Sequence, residues 1–131
     1  MPDRYVLDTN TVSDILRGNA NVALQLQNHL GQQIYLSQPV HYELVRGLTH
    51  RKALTQLQLL ETLVTQFLWL ELTNNDWRYA AQLWATTRTK GLHFSDVDLL
   101  LCTIAYRIDG VIVTSDDDFS RLEVATVNWR K

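Results

Sequence analysis

Short apolar runs alternate with stretches of helical periodicity along this chain. Residues 4–8, Arg-Tyr-Val-Leu-Asp, read as a buried strand ending on Asp8. Val12, Ile15 and Leu16 then share one helical face, closed by Gly18. A second helical pattern over 19–31 carries Val22, Leu24, Leu26 and Leu30 and stops at Gly31. Ile34 to Ser37 predicts a second strand. Pro39 suits the first position of the following helix, where Val40, Leu44 and Leu48 recur every four residues. Another helix over 51–64 carries Leu54, Leu57, Leu60, Leu63 and Val64. A third strand covers 67–72. Asn75 and Asp76 can cap a helix from Trp77 to Lys90, closed by Gly91.

The stretch from Ser95 to Phe119 is the most informative. Ser95 with Asp98 three residues on fits a reciprocal helix cap. Leu99 to Ala105 leave no polar face, which predicts a helix buried on nearly all sides. Gly110 suits a left-handed residue just past the helix end. Val111-Ile112-Val113 is short and fully apolar, as a buried parallel strand should be. Asp116, Asp117 and Asp118 follow beyond its C-terminal end. Phe119 and Leu122 suggest one helical turn, residues 124–127 a last strand, and Trp129-Arg130-Lys131 an exposed tail. Strands separated by helices predict an α/β fold: a three-layer α/β/α sandwich around a central, mostly parallel sheet of four to five strands. A chain of 131 residues is enough for one domain, spanning 1–131.

In such a sheet the C-terminal edge binds ligands. Asp8, Glu43, Asp98 and Asp116 lie on four separate elements that could converge there, with Asp96 and Asp118 as further candidates. Glu43 borders the apolar stripe of its helix, where a carboxylate is costly unless it pairs with Arg46 or binds a cation. As single residues, Asp8, Thr9 and Asn10 would serve as helix caps. Clustered carboxylates raise one another's pKa, and a hard cation removes that penalty. Oxygen donors favour Mg²⁺, with Mn²⁺ able to substitute. The four histidines have no zinc-ligand spacing.

Net charge is −2, yet setting aside the six suspected site acids leaves eight acids against 12 Lys and Arg. An acidic centre in a basic surround suits a cation with a phosphate-bearing ligand. The chemistry this supports is phosphodiester hydrolysis. Arg17, Arg46 and Arg88 are candidate phosphate contacts; Tyr42 and the four tryptophans are candidate base-stacking groups, with core or dimer packing favoured for Trp69 and Trp84. One cysteine excludes an internal disulfide and fits a reducing compartment, so the cytoplasm is expected. Cys102 reads as a packing residue. No apolar run approaches membrane-spanning length. Met1-Pro2-Asp3-Arg4 runs directly into the first strand, so no leader peptide is expected.

The order LDTN (Asp8), YELVRG (Glu43) and SDVDLLLCTIAYRIDGVIVTSDDDF resembles the PIN-domain ribonucleases, specifically the VapC-type toxins of bacterial toxin–antitoxin pairs. The resemblance covers nearly the whole chain. It implies a Mg²⁺-dependent endoribonuclease that uses a metal-activated water, leaves a 3′-hydroxyl and a 5′-phosphate, forms a homodimer, and is silenced by a VapB-like antitoxin. It implies that Asp8, Glu43, Asp98 and Asp116 hold or position the metal, with Thr9, Asn10 and Thr114 in support. Asp96 and Asp118 keep the acid set open. Cys102 falls where relatives often carry alanine.

Three other readings compete. A haloacid-dehalogenase-like phosphatase wants a second acid two residues after Asp8, where Asn10 stands. A receiver-like domain wants a late lysine, and none follows Val111 to Thr114 closely. A catalytically inactive PIN-like RNA- or protein-binding module would have no use for concentrated like charge.

Overall fold

The computed structural model describes residues 4–131; Met1 to Asp3, on which the expectation of a leaderless start rests, lie outside the described residues. Five strands form one sheet: β1 (Arg4–Leu7), β2 (Gln33–Ser37), β3 (Leu68–Leu70), β4 (Val111–Val113) and β5 (Thr126–Val127). Six helices separate them: α1 (Thr9–Leu16), α2 (Ala20–Asn28), α3 (Gln38–His50), α4 (Leu54–Val64), α5 (Asn74–Thr89) and α6 (Asp96–Ile108). A single 3-10 turn spans Asp117–Arg121. The strand order is β3-β2-β1-β4-β5, and all four pairings are parallel. The chain steps outward from β1 to β3, returns past β1, and adds β4 and β5 on the other side. Right-handed crossovers in opposite directions cover both faces with helices. The direction reverses between β1 and β4, so the crevice a doubly wound sheet offers to ligands opens there. Among the described residues no helix is long and apolar enough to cross a membrane.

Burial follows the apolar runs. Val6, Leu7, Leu36, Ile112 and Val113 are fully enclosed. In α6, Val97 and every residue from Leu99 to Ala105 are buried, as a helix without a polar face requires. Cys102 is among them and packs as an apolar residue. The left-handed position after α6 belongs to Asp109 (φ 53°), not to Gly110. Gly110 is needed for proximity: an added Cβ would stand 3.2 Å from both Ile108 and Val6 side chains. Helix α5 begins one turn earlier than its apolar pattern suggests. Thr73 and Asp76 form the reciprocal cap, and Asp76 also accepts from Arg107 of α6 at 3.0 Å.

The aromatic expectations change in part. Trp69 and Trp84 are 40% and 42% exposed, which removes core packing for them and leaves dimer packing. Trp129, expected in an exposed tail, is only 2% exposed. Its ring stacks on His29 with centroids 5.0 Å apart and leans on Tyr5 at 5.9 Å. Next to it, Arg130 makes a two-pronged contact to the buried Asp14 at 2.6 and 3.0 Å, and Arg17 adds a third at 2.9 Å. The Arg130 contact holds the Asp14 carboxyl below its ordinary pKa despite burial. Two-residue strand β5 is thus extended by a latch that closes the C-terminus over α1 and α2. Trp129→Ala removes a fully packed ring and should destabilise the fold by roughly 3 kcal/mol, read from urea unfolding. A loss below about 1 kcal/mol would mean the latch is not part of the cooperative fold.

Candidate active site

Asp8 follows the last residue of β1 and is the N-cap of α1. Its backbone N–H donates to Val113 O at 2.9 Å, extending the β1–β4 ladder by one bond. The carboxylate is 4% exposed and held from two sides. Oδ1 accepts from the Thr9 N–H at 2.7 Å; Oδ2 accepts from the Thr114 hydroxyl at 2.7 Å and from Asn10 Nδ2 at 3.4 Å. Burial raises the Asp8 pKa, the Thr114 and Thr9 bonds oppose the rise, and Glu43 and Asp116 add to it.

Thr114 joins two acids. Its Oγ1 donates to Asp8 and accepts the Asp116 N–H at 3.0 Å. Asn10 spans the same gap: its amide donates to Thr114 Oγ1 at 3.3 Å and its carbonyl accepts the Ser115 N–H at 3.2 Å. Thr11, absent from the sequence candidates, donates its buried hydroxyl to Val113 O at 2.8 Å. These bonds tie the ends of β1 and β4 across the switch point. Thr9 supports Asp8 through its backbone, while its buried hydroxyl has no partner among the described residues.

Asp98 enters from the first turn of α6. Ser95 Oγ accepts its N–H at 3.1 Å, one half of the expected reciprocal cap; the return bond to the Ser95 N–H is not made. The Asp98 carboxyl feels Asp8, Asp116 and Glu43. Burial first and these charges second push its pKa up to about 6, against the Ser95 hydroxyl. Glu43 reaches the same field from α3 and pairs with Arg46 at 3.5 Å. Asp8, Glu43, Asp98 and Asp116 therefore share one electrostatic field. Asp96 does not: it is exposed and lines a hollow with Trp77, Trp84 and Leu100. Asp118 is exposed too, and its N–H donates to Asp116 Oδ1 at 2.9 Å.

The donor set suits a hard divalent cation: carboxylates with hydroxyl and amide oxygens, and no thiol or imidazole. His29 and His41 are packed elsewhere, on Trp129 and Trp69. The carboxylates stand apart, and among the described residues no three His, Cys, Asp or Glu side chains are close enough to form a finished cation cage. Burial raises the pKa of Asp8 and Asp98 and neighbouring acids add to the rise, and bound positive charge would lower both. One further residue escaped the sequence reading. Continuing the β1–β2 register two residues past the Val6–Tyr35 pair brings Ser37 level with Asp8, and its fully buried hydroxyl has no partner among the described residues. Its only signal was position, at the end of the second predicted strand.

The Asp98 shift has a definite consequence for pH. A carboxyl whose folded-state pKa is raised stabilises the fold most below its unfolded pKa, and that contribution is lost as pH rises through about 6. In EDTA, Asp98→Asn should match the wild type in stability near pH 4 and exceed it above pH 7. Denaturant unfolding across that range checks this; equal pH dependence in both proteins would show that Asp98 does not feel the other acids.

The comparisons with known proteins bear on the fold and the family. No curated protein sequence matches the chain. Solved structures match the fold over nearly its whole length. VapBC2 from Rickettsia felis bound to a DNA fragment from their promoter has a TM-score of 0.87 at 21% identity, covering 96% of this chain and 98% of that chain. VapBC-1 from nontypeable Haemophilus influenzae has a TM-score of 0.83 at 18% identity, covering 98% and 99%. Mycobacterium tuberculosis VapC20, a sarcin-ricin loop cleaving toxin, has a TM-score of 0.69 at 20% identity, covering 95% and 98%. The PIN domain family model matches residues 5–125, and with the acid-lined switch point between β1 and β4 this establishes that the chain belongs to the PIN domain family.

Proposed function

We propose that this chain is a metal-dependent endoribonuclease, a single PIN domain acting as the toxin of a VapBC-type pair in the cytoplasm. The observation that carries the reading is the shared field of Asp8, Glu43, Asp98 and Asp116 at one sheet edge of a PIN fold. These four would hold a divalent cation, Mg²⁺ or Mn²⁺. The cation would supply positive charge at the scissile phosphate and acidify the attacking water. The chain's own residues do the positioning. Thr9 N–H and the Thr114 hydroxyl lock the Asp8 carboxylate, and Thr114 couples it to Asp116. Asn10 keeps the two strand ends at fixed spacing. RNA as substrate is supported by the likeness to a sarcin-ricin loop cleaving toxin.

Partner proteins fit the exposed apolar surface. A groove of about 380 Å³ bordered by Leu26, Leu30, Ile34, Leu63 and Phe67 suits the apolar face of an antitoxin helix. A hollow of about 690 Å³ with Pro39, Tyr42, Leu72, Trp77 and Leu100 suits a second copy of the chain. The alternative is a PIN-fold binding module without catalysis. The spacing of the carboxylates and the Glu43–Arg46 pair are the observations in its favour.

Asp8→Asn keeps the size of the side chain and removes its charge. It should fold and lose RNA cleavage by at least about a hundredfold with Mg²⁺ or Mn²⁺. Wild-type cleavage by that variant would reject the site. Trp77→Glu places charge on the proposed dimer face and should turn a dimer into a monomer by light scattering; an unchanged mass would move the dimer face elsewhere.

A further inference from the structure

Beside the acid cluster lies a second feature that the proposed chemistry does not use. A groove of about 240 Å³ runs between α1, α3 and α4. Three guanidinium groups line it, from Arg17, Arg46 and Arg51, against one carboxylate, Glu43. Glu43 belongs to both places, so the groove opens directly onto the acid cluster. Two of the three arginines are already engaged. Arg17 pairs with Asp14 at 2.9 Å; Arg46 pairs with Glu43 at 3.5 Å and lies over the Tyr42 ring at 5.2 Å. Arg51 has no carboxylate within ion-pair distance among the described residues.

The backbone holds Arg51 in place. It is the C-cap of α3, with its N–H bonded to Gly47 O at 3.1 Å. Lys52 then turns left-handed at φ 57°, so the chain leaves the helix sharply and enters α4. A Cβ on Gly47 would meet the Arg51 guanidinium at 3.5 Å, so the side chain lies back along α3, against the bare backbone at that glycine, in the groove. An unpaired, weakly hydrated fork of donors in a polar groove is suited to a phosphate. Arg88, a sequence candidate for the same task, lies over Trp84 on α5, which contributes nothing to this groove.

We propose that this groove is a backbone-phosphate subsite, in which Arg51, between Arg17 and Arg46, holds a phosphodiester of a single RNA strand beside the one presented to the acids. Arg51 is a positioning residue: it fixes the register of the strand and touches no reacting atom. The subsite rests on the nuclease reading for its purpose, but not for its test. A neighbouring phosphate on one continuous strand is required, so the substrate is an oligonucleotide rather than an isolated phosphodiester.

The test is binding of a short fluorescein-labelled single-stranded oligoribonucleotide in EDTA, by anisotropy across a salt series. Wild type, Arg51→Gln, Arg51→Lys and Arg4→Gln are compared. Arg4 begins β1 at the opposite edge of the sheet, so its variant loses the same charge far from the groove. Arg51→Gln should bind about five- to tenfold more weakly and lower the slope of log K against log salt by about 0.7, the value for one single-strand phosphate. Arg51→Lys should restore the slope, and Arg4→Gln should leave both unchanged. The subsite is overturned if Arg51→Gln keeps the wild-type affinity and slope, if Arg4→Gln loses as much, or if the wild type does not bind the strand. Cleavage of the same strand with Mg²⁺ or Mn²⁺ reports separately on the nuclease reading. Arg51-dependent binding without cleavage keeps the subsite and removes the nuclease. Cleavage with Arg51-independent binding does the reverse.

Discussion

The Asp8 carboxylate sits between a backbone donor and a hydroxyl donor, 2.7 Å from each, at the reversal point of the sheet. That arrangement requires β1 and β4 to be neighbours with their C-terminal ends level. The ladder supplies this: Leu7 pairs with Val113, and the Asp8 N–H reaches Val113 O. The short apolar strands and the buried middle of α6, Leu99 to Ala105, serve the same end, because they leave the polar groups nowhere to go but the edge. A buried carboxylate is tolerated when its lone pairs are occupied, and here the start of α1 and the residue just past β4 occupy them.

Three other acids surround that point without closing on it. Burial first, and neighbouring acids second, push up the pKa values of Asp8 and Asp98: Glu43 and Asp116 act on Asp8, and Asp8, Asp116 and Glu43 act on Asp98. By contrast Asp14 and Asp76, equally buried, are each met by arginine. The molecule therefore handles buried acid in two ways. Paired acids stabilise the C-terminal latch and the α5–α6 contact. Asp8, Asp98 and Asp116 have no basic partner at ion-pair distance among the described residues and lie at one edge with Glu43, whose partner is Arg46; positive charge brought from outside would relieve their like charge. Beside them, three arginines line a groove in which Arg51 alone has no carboxylate within ion-pair distance among the described residues. Opposite electrostatic demands placed next to each other are what a site for a cation and a polyanion needs.

Much of this was legible in the residues. Apolar periodicity located all six helices and all five strands, because each element buries a face whose period is written locally. Asp8, Glu43, Asp98 and Asp116 stood out as acids at element ends or beside an apolar stripe, and the parallel order of elements put them at one edge. Local rules failed where several neighbours share a function. Asp116, Asp117 and Asp118 are indistinguishable as a run, and only the backbone path separates the one facing Asp8 from its exposed successors. Gly110 looked like a left-handed cap but is required for its lack of bulk against Val6, a contact over a hundred residues away in the chain.

By itself the sequence determined the class of fold, the sheet edge at which the acids gather and the kind of atom offered there, since these follow from local pattern and residue type. Tertiary structure alone decided which acids share a field, and left Asp96 out although it stands two residues from Asp98. It alone buried Trp129 against His29 and Tyr5 and joined Arg130 to Asp14. It alone left Trp69 and Trp84 exposed and Arg51 without a carboxylate in ion-pair reach among the described residues. The physical reason is common to these cases. Burial, pairing and electrostatic coupling depend on distances between residues remote in the chain, and only the folded backbone sets those distances.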